Sequence, residues 1–359
     1  MEQTVSVPDS LEELLTPEWL SAALGVRYPG IKVSAVRPGP VISRVSTNAR
    51  FEIDCEGGLP EGLSPNLCAK GYFGETGRQY RSAGTSEALF YRDLVGSIPI
   101  RTLRSVYADV DPATGHGVVL TEDVAVEGAV FLDGRERYSP EQTAASLEQY
   151  AALHGSTWNS PAVGRAEWLG PRIASSATTR GVKEIRGNFE GPIGAGVPDA
   201  ARDAARLMEA FTAIPRYTES LDHWSLLLGD AHIGNLILDA EGRPWLVDWQ
   251  LVQRGPWFLD VGYHIASALT VEDRRRHEQD LVEQYLARLV EAGGERPSDE
   301  EIRIGLCCGI VYGFFLWGIT LKVDPAITAV RLERLGAAVA DHDAFSVVLD
   351  PEHRPGGGR

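Results

Sequence analysis

The sequence predicts an α+β protein in two lobes: a small β-rich N-terminal lobe with one helix and a larger, mainly helical C-terminal lobe. Three observations carry this reading. Between Ile31 and Val124, short β-branched or aromatic runs alternate with Gly, Pro, Ser and Asn, and one helical stretch interrupts them. From Ser139 onward, long segments place apolar residues at helical spacing. A chain of 359 residues is also long for one core and comfortable for two lobes. The expected division is residues 1–122, with an N-terminal helical extension, and residues 123–359.

The elements follow in order. "SLEELLTPEWLSAAL" has helical spacing, with Ser10 as N-cap and Glu13 three residues later. "IKVSAVRPG", "ARFEIDC" and "NLCAKGYF" read as strands. "TSEALFYRDLVG" reads as a helix capped by Thr85 or Ser86 and closed near Gly96. "RTLRSVYADV" and "GHGVVLTEDV" resume the strand pattern around the turn "DPATG". Ser139 and Pro140 open a helix by cap and proline, and Ala144, Leu147, Tyr150, Ala151 and His154 fall near one face. "DAARDAARLMEAFTAI" is a further helix, followed by two short strands within "LLLGDAHIGNLILDAEGRPWLVDWQ", Leu226 to Gln250. Helical sequence returns at "LDVGYHIASAL", "EDRRRHEQDLVEQYLARLVEAG", the run from Ile304 and "PAITAVRLERLGAAVADHD". The tail "RPGGGR" is expected to be disordered.

Composition narrows the partners. With 43% hydrophobic and 23% charged residues the chain is globular. Its 34 basic and 50 acidic residues give 34 − 50 = −16, which disfavours nucleic acids and anionic membranes. The same charge suits a cationic substrate, although acidity is also a common solubility device. Cys55, Cys68, Cys307 and Cys308 form no C-x-x-C pair, so reduced thiols and a cytoplasmic protein are expected. The N-terminus lacks the basic and apolar regions of a secretory signal. "IGLCCGIVYGFFLWGITL" reaches the lower limit for a bilayer span, but it stands alone among polar helical sequence. The expectation is a buried helix in which Gly309 and Gly313 permit close packing.

The run from Leu226 to Gln250 carries the chemistry. Asp230, Asn235 and Asp248 stand at strand tips, where turn chemistry alone could place Asp and Asn. Phosphoryl transfer would place them there too. It needs an acid residue to orient the acceptor hydroxyl and carboxylate and amide oxygens to hold Mg²⁺. The D-x-x-x-x-N spacing of Asp230 and Asn235 matches a kinase catalytic loop, and Asp248 ends the next apolar run as a second metal carboxylate would. A kinase also needs a strand lysine paired with a helix glutamate. Lys70 in "NLCAKGYF" and Glu87 in "TSEALFYRDL" occur in that order. The bland alternatives are an edge-strand lysine and a helix-dipole glutamate.

With these motifs in view, the chain resembles the aminoglycoside phosphotransferase superfamily of small-molecule kinases over roughly residues 31 to 340. "FYRDL" and "RGPWFLDVGYHIA" are similar to its ecdysteroid-kinase-like and choline-kinase-like branch. The resemblance implies a two-lobed protein-kinase-like fold, ATP or GTP with Mg²⁺, and phosphorylation of a small-molecule hydroxyl. It makes the first lobe nucleotide-binding and the second catalytic and substrate-binding. It also implies Asp230 as the hydroxyl-orienting base, Asn235 and Asp248 as Mg²⁺ ligands, Lys70 on the phosphates and Glu87 positioning Lys70. The adenine hinge would fall at Thr121 to Val124, through backbone groups of Glu122 and Val124. His232 would take a structural or substrate-side role, and Asp260 would brace the loop after the metal carboxylate.

Three departures stand out. Leu228 replaces the family's common histidine before Gly-Asp, so a brace on that loop is expected to be missing or replaced. The second triplet is Asp-Trp-Gln. The phosphate-covering loop has no G-x-G-x-x-G, and Ser43, Ser46, Thr47 and Asn48 are its candidate donors. Only eleven residues separate Asp248 from Asp260, too few for a long activation segment, so a small molecule is expected over a protein substrate. Antibiotic or natural-product inactivation is the commonest role among relatives. The alternative is a catalytically silent kinase-fold binding protein, and the oligomeric state is open between monomer and homodimer.

Overall fold

The computed structural model describes residues 5–173 and 180–351, so the tail "RPGGGR" lies outside the described residues. The N-terminal segment forms two short helices, α1 (Leu11–Leu14) and α2 (Pro17–Gly25), where the spacing had predicted one. Ser10 caps the first through Glu13 N at 3.1 Å. Pro17 has no N–H to continue that ladder, and Thr16 instead caps the second helix through Trp19 N. Trp19, Leu20, Ala23 and Leu24 of α2 pack on Phe51, Ile53, Leu67 and Leu120 of the sheet.

That sheet is antiparallel, with strands β1 (Val33–Ser43), β2 (Thr47–Cys55), β3 (Asn66–Gly71), β4 (Ser105–Val110) and β5 (Gly117–Glu122) in the order β1-β2-β3-β5-β4. In β2, Thr47, Ala49, Phe51 and Ile53 are buried while the residues between them are not, the period of two that the sequence showed. β1 continues past Pro38-Gly39-Pro40 with a register shift, an interruption that an edge strand tolerates. β3 is central: Lys70 lies opposite Asn48 of β2 and Val119 of β5. The edge-strand reading of Lys70 is therefore wrong.

After β3 come a single-turn helix, α3 (Glu75–Arg78), and then α4 (Thr85–Leu89), which widens into a π-helical turn over Phe90–Leu94. Neither Thr85 nor Ser86 caps α4. Gly84 is the N-cap, and the Thr85 hydroxyl donates to the Gly115 carbonyl at 2.6 Å.

The C-terminal part is mainly helical. Its helices are α5 (Pro140–Ser156), α6 (Pro161–Gly164), α7 (Val182–Glu190), α8 (Ala204–Thr218), α9 (Phe258–Ala268), α10 (Val271–Glu291), α11 (Asp299–Gly318), α12 (Pro325–Asp341) and α13 (Ala344–Leu349). Ser139 and Gln142 form a reciprocal cap at α5, as Ser139-Pro140 predicted. α8 starts later than its sequence pattern, because Asp203 caps it through Ala205 and Arg206 N–H. Two small antiparallel sheets complete this part: β6 (Val130–Phe131), β8 (Leu236–Leu238) and β9 (Pro244–Leu246) in one, β7 (Ser225–Leu227) and β10 (Gln253–Gly255) in the other. The run from Leu226 thus contributes three strands, not two, and β7 pairs with β10 beyond it.

α11 is long and apolar enough to cross a membrane, yet 72% of its apolar window is buried inside the protein. Gly305, Gly309 and Gly313 lie against α9. A Cβ on Gly309 would come within 2.1 Å of Phe258 O and 3.0 Å of Gly262 Cα, and one on Gly313 within 2.3 Å of the Tyr263 ring. Only glycine permits this approach, which draws Tyr263 up to the loop below β7.

Candidate active site

Asp230 follows β7 on a tight turn. Gly229 there has φ +82° and no room for a Cβ, which would meet Leu251 O at 2.1 Å. Buried side chains hold the backbone at this turn. Asp260 of α9 accepts from Leu228 N at 2.7 Å and Gly229 N at 2.9 Å. The Tyr312 hydroxyl donates to Gly229 O at 2.6 Å, and His264 Nδ1 lies 3.0 Å from Ala231 O. Burial pushes the His264 imidazole down to about 4, so it stays neutral. The brace expected to be missing or replaced at Leu228 is replaced, from α9 and α11. Asp260 also differs from its expected place, since it braces the entry to Asp230 rather than the loop after Asp248. His154 of α5 supports Asp260 in turn, with Nε2 at 3.3 Å and Nδ1 on the Tyr285 hydroxyl at 2.7 Å.

The Asp230 carboxylate is oriented from two sides. Tyr263 donates its hydroxyl to Oδ1 at 3.0 Å and itself receives Trp317 Nε1 at 2.6 Å. His232 Nδ1 accepts from Gly234 N, which assigns the ring proton to Nε2, 3.5 Å from Asp230 Oδ2. The His232 ring also meets Trp317 edge-to-face. Burial opposes the Asp230 charge, but His232, Tyr263 and Asn235 outweigh it and hold its pKa below the ordinary carboxylate value.

Asn235 Nδ2 donates to Asp230 O at 2.9 Å, and Val247 N donates to Asn235 O at 3.0 Å, which ties the Asp230 loop to the Asp248 strand end. Asp248 has φ 64° and ψ 71°, a left-handed conformation that costs free energy in a non-glycine residue and recurs at functional sites. This turn aims Oδ1 at Lys70 Nζ, 3.0 Å away, while Glu87 Oε2 reaches the same nitrogen at 2.7 Å. Burial works against the Lys70 ammonium, but Asp248 and Glu87 outweigh it and raise its pKa. Burial and the Asp248 charge raise that of Glu87 in spite of Lys70. Two carboxylates around one ammonium leave negative charge uncompensated at this cluster.

The Asp-Trp-Gln triplet joins this cluster to α4. Trp249 N donates to Glu87 Oε1 at 3.3 Å, its ring stacks on Phe90 at 3.9 Å, and its Nε1 donates to Thr102 Oγ1 at 3.0 Å.

The other expected site residues are spread out. Asn48 faces Lys70 across the strands, and Thr47 faces Gly71. Ser43 and Thr47 hydroxyls bond each other at 3.1 Å across the β1–β2 hairpin, where Ser46 O receives Arg44 N. Glu122 ends β5 with its N–H on Arg104 O and its carboxylate on Arg104 and Ser64 N, so this N–H is already committed. Val124 accepts from Ala129 N and packs with Ile237 and Val247. A cavity of about 300 Å³ lies beside it, lined by Val124, Glu127, Ala129, Ile237 and Trp245 among others.

Among the described residues no cluster of three or more His, Cys, Asp or Glu could cage a metal alone. The oxygens of Asp248 and Asn235 still fit Mg²⁺, which keeps waters and takes one or two carboxylates beside substrate phosphates. Sequence reading missed Tyr263 and His264, which lie unremarked inside "RGPWFLDVGYHIA". One signal was present: Asp260, His264 and Ser267 place polar groups at spacings of four and three in an otherwise apolar helix.

Residues 106–300, more than half of the chain, match the phosphotransferase enzyme family APH. The chain belongs to that family. It is a small-molecule phosphotransferase with a hydroxyl acceptor. Its fold is similar to that of a choline kinase from Cryptosporidium parvum Iowa II, at 11% identity, 86% of this chain, 88% of that one and a TM-score of 0.50. A macrolide 2'-phosphotransferase type I aligns at 15% identity over 94% of this chain and 98% of that one, with a TM-score of 0.46. The GDP complex of wild-type aminoglycoside 2'-phosphotransferase-IIIa aligns at 13% identity over 90% and 99%, with a TM-score of 0.45. At such identities the likeness speaks to fold alone. No curated protein matches this sequence.

Proposed function

We propose that this phosphotransferase transfers the γ-phosphoryl group of ATP or GTP, as the magnesium complex, to a hydroxyl of a small natural product such as an antibiotic. The observation that carries the reading is the convergence of Lys70, Glu87 and Asp248 beside a doubly oriented Asp230. Lys70 pairs with the phosphates, and Glu87 holds it there. Asp248 and Asn235 are the residues that would hold Mg²⁺, which would supply positive charge to offset that of the phosphates. Asp230 Oδ2, turned toward His232 while Tyr263 occupies Oδ1, accepts the hydrogen bond of the acceptor hydroxyl. It takes that proton as the new O–P bond forms and the nucleoside diphosphate leaves. The apolar floor of Val124, Ile237 and Val247 and the adjoining cavity receive the base.

The test is a thermal shift of the purified protein with Mg²⁺ plus ATP and, separately, GTP, set against Asp248→Ala. A magnesium-dependent rise that Asp248→Ala abolishes is expected, because a ligand of the native state raises its melting temperature by mass action. No rise with either nucleotide would sink the reading in favour of a silent binding protein. Acceptors are then screened by the mass of one added phosphate, which Asp230→Ala should eliminate without unfolding the protein.

A further inference from the structure

Arg172 lies outside both loops of the site yet touches the elements that carry it. Its backbone N–H donates to Gln253 Oε1 at 2.8 Å, and Nη1 donates to the Gln250 carbonyl at 2.9 Å. Nη2 donates to Ser86 Oγ. Gln250 is two residues past Asp248, and Ser86 directly precedes Glu87. One planar guanidinium therefore spans the turn after the Asp248 loop and the first turn of α4. Burial works against its charge and lowers its pKa, so keeping a cation here costs free energy that its hydrogen bonds must offset.

Among the described residues, α4 and this loop are also tied by Lys70, shared by Glu87 and Asp248, and by Trp249, through its N–H on Glu87 and its ring on Phe90. None of these fixes the segment beyond Trp249. The Arg172 fork does, because a guanidinium presents two donors at a set spacing to acceptors on two elements. We propose that Arg172 is a positioning residue for phosphoryl transfer. It sets the spacing between the Glu87 helix and the Asp248 loop, and so pre-forms the cluster that receives a magnesium nucleotide. This rests on the functional reading above.

The experiment titrates Mg·ATP and Mg·GTP into the full-length wild type, Arg172→Ala, Arg172→Lys, Ser86→Ala and Asp248→Ala by calorimetry at 25 °C. Amide exchange across residues 85–94 of the nucleotide-free proteins is followed in parallel. Arg172→Ala and Ser86→Ala should each raise Kd about tenfold, with faster exchange in α4, because displacement of a pre-formed group by about 1 Å is felt at the site. Arg172→Lys should fall between, since its single nitrogen cannot hold both acceptors as the fork does. Wild-type Kd and wild-type exchange in Arg172→Ala would overturn the inference even if its melting temperature fell, because that is the signature of a role in stability alone. Should Arg172→Ala fail to fold, Ser86→Ala decides by the same criteria, as it removes only one acceptor. If the wild type binds neither nucleotide, it is the functional reading that has failed, and the inference falls with it.

Discussion

Tyr263 orients Asp230, although the motif "RGPWFLDVGYHIA" that contains it does not single it out. Its hydroxyl is a donor that burial keeps protonated: desolvation, then the Asp230 charge, raise its pKa well above the ordinary tyrosine value. With His232 and Asn235 it outweighs burial and holds the Asp230 pKa below the ordinary carboxylate value. A carboxyl depressed in the folded state stabilises the fold above its unfolded pKa and loses that contribution as pH falls through the folded value. Transfer should therefore persist into mildly acidic solution. Tyr263→Phe should shift the acid limb of kcat to higher pH, and an unmoved limb would refute this role for Tyr263. The same change leaves Trp317 Nε1 without its acceptor at a cost of about 1–3 kcal/mol, to be read by urea denaturation. The gap between legible and hidden residues is physical. Asp230, Asn235, Asp248, Lys70 and Glu87 stood out because phosphate chemistry dictates their types and order. Tyr263 and Arg172 act on partners 33 and 86 residues away, and such pairings leave no local pattern.

Elements were legible where local chemistry sets their ends. Ser139-Pro140 and Ser10 marked helix starts because cap and first turn are neighbours in sequence. The start of α4 was misread because Thr85 spends its hydroxyl on Gly115, 30 residues away, and Ser86 on Arg172. The continuation of β1 through two prolines was hidden for a related reason: only its place at the sheet edge makes it tolerable. The α9–α11 contact was half visible, as glycines in an apolar run. It yields a paired prediction. Gly309→Ala forces a methyl onto Phe258 O and should cost about 3 kcal/mol or more, in the range of severe overpacking. Gly187→Ala sits on the exposed face of α7, where none of the described residues would meet the new Cβ within 4 Å, and should stabilise by about 0.5–1 kcal/mol. Equal effects of the two in urea melts would show that α11 does not depend on close approach.

Across the whole molecule, the architecture was readable because hydrophobic period changes from two to helical spacing along the chain, while the seating of one lobe on the other was not. That seating rests on Lys70–Asp248, Glu87–Trp249 and Ser86–Arg172, each joining residues far apart in sequence. The formal charge of −16 acts at the same scale. With a cationic acceptor, kcat/KM should fall as ionic strength rises, whereas a neutral acceptor should show little change. Stopped-flow or steady-state rates between low and physiological salt would tell, and equal salt dependence for both would remove any steering role for the acidic surface. The sharing of Lys70 by Glu87 and Asp248 has a further consequence, for the sequence of arrivals. One positive and two negative side chains leave the trio with a single surplus negative charge, so, if the phosphates settle here as proposed, a bare nucleotide should meet repulsion. Among the described residues no cluster of three or more His, Cys, Asp or Glu would hold a divalent ion by itself. On the proposed reading, cation and nucleotide should therefore arrive as companions, and a chelator should release both at once.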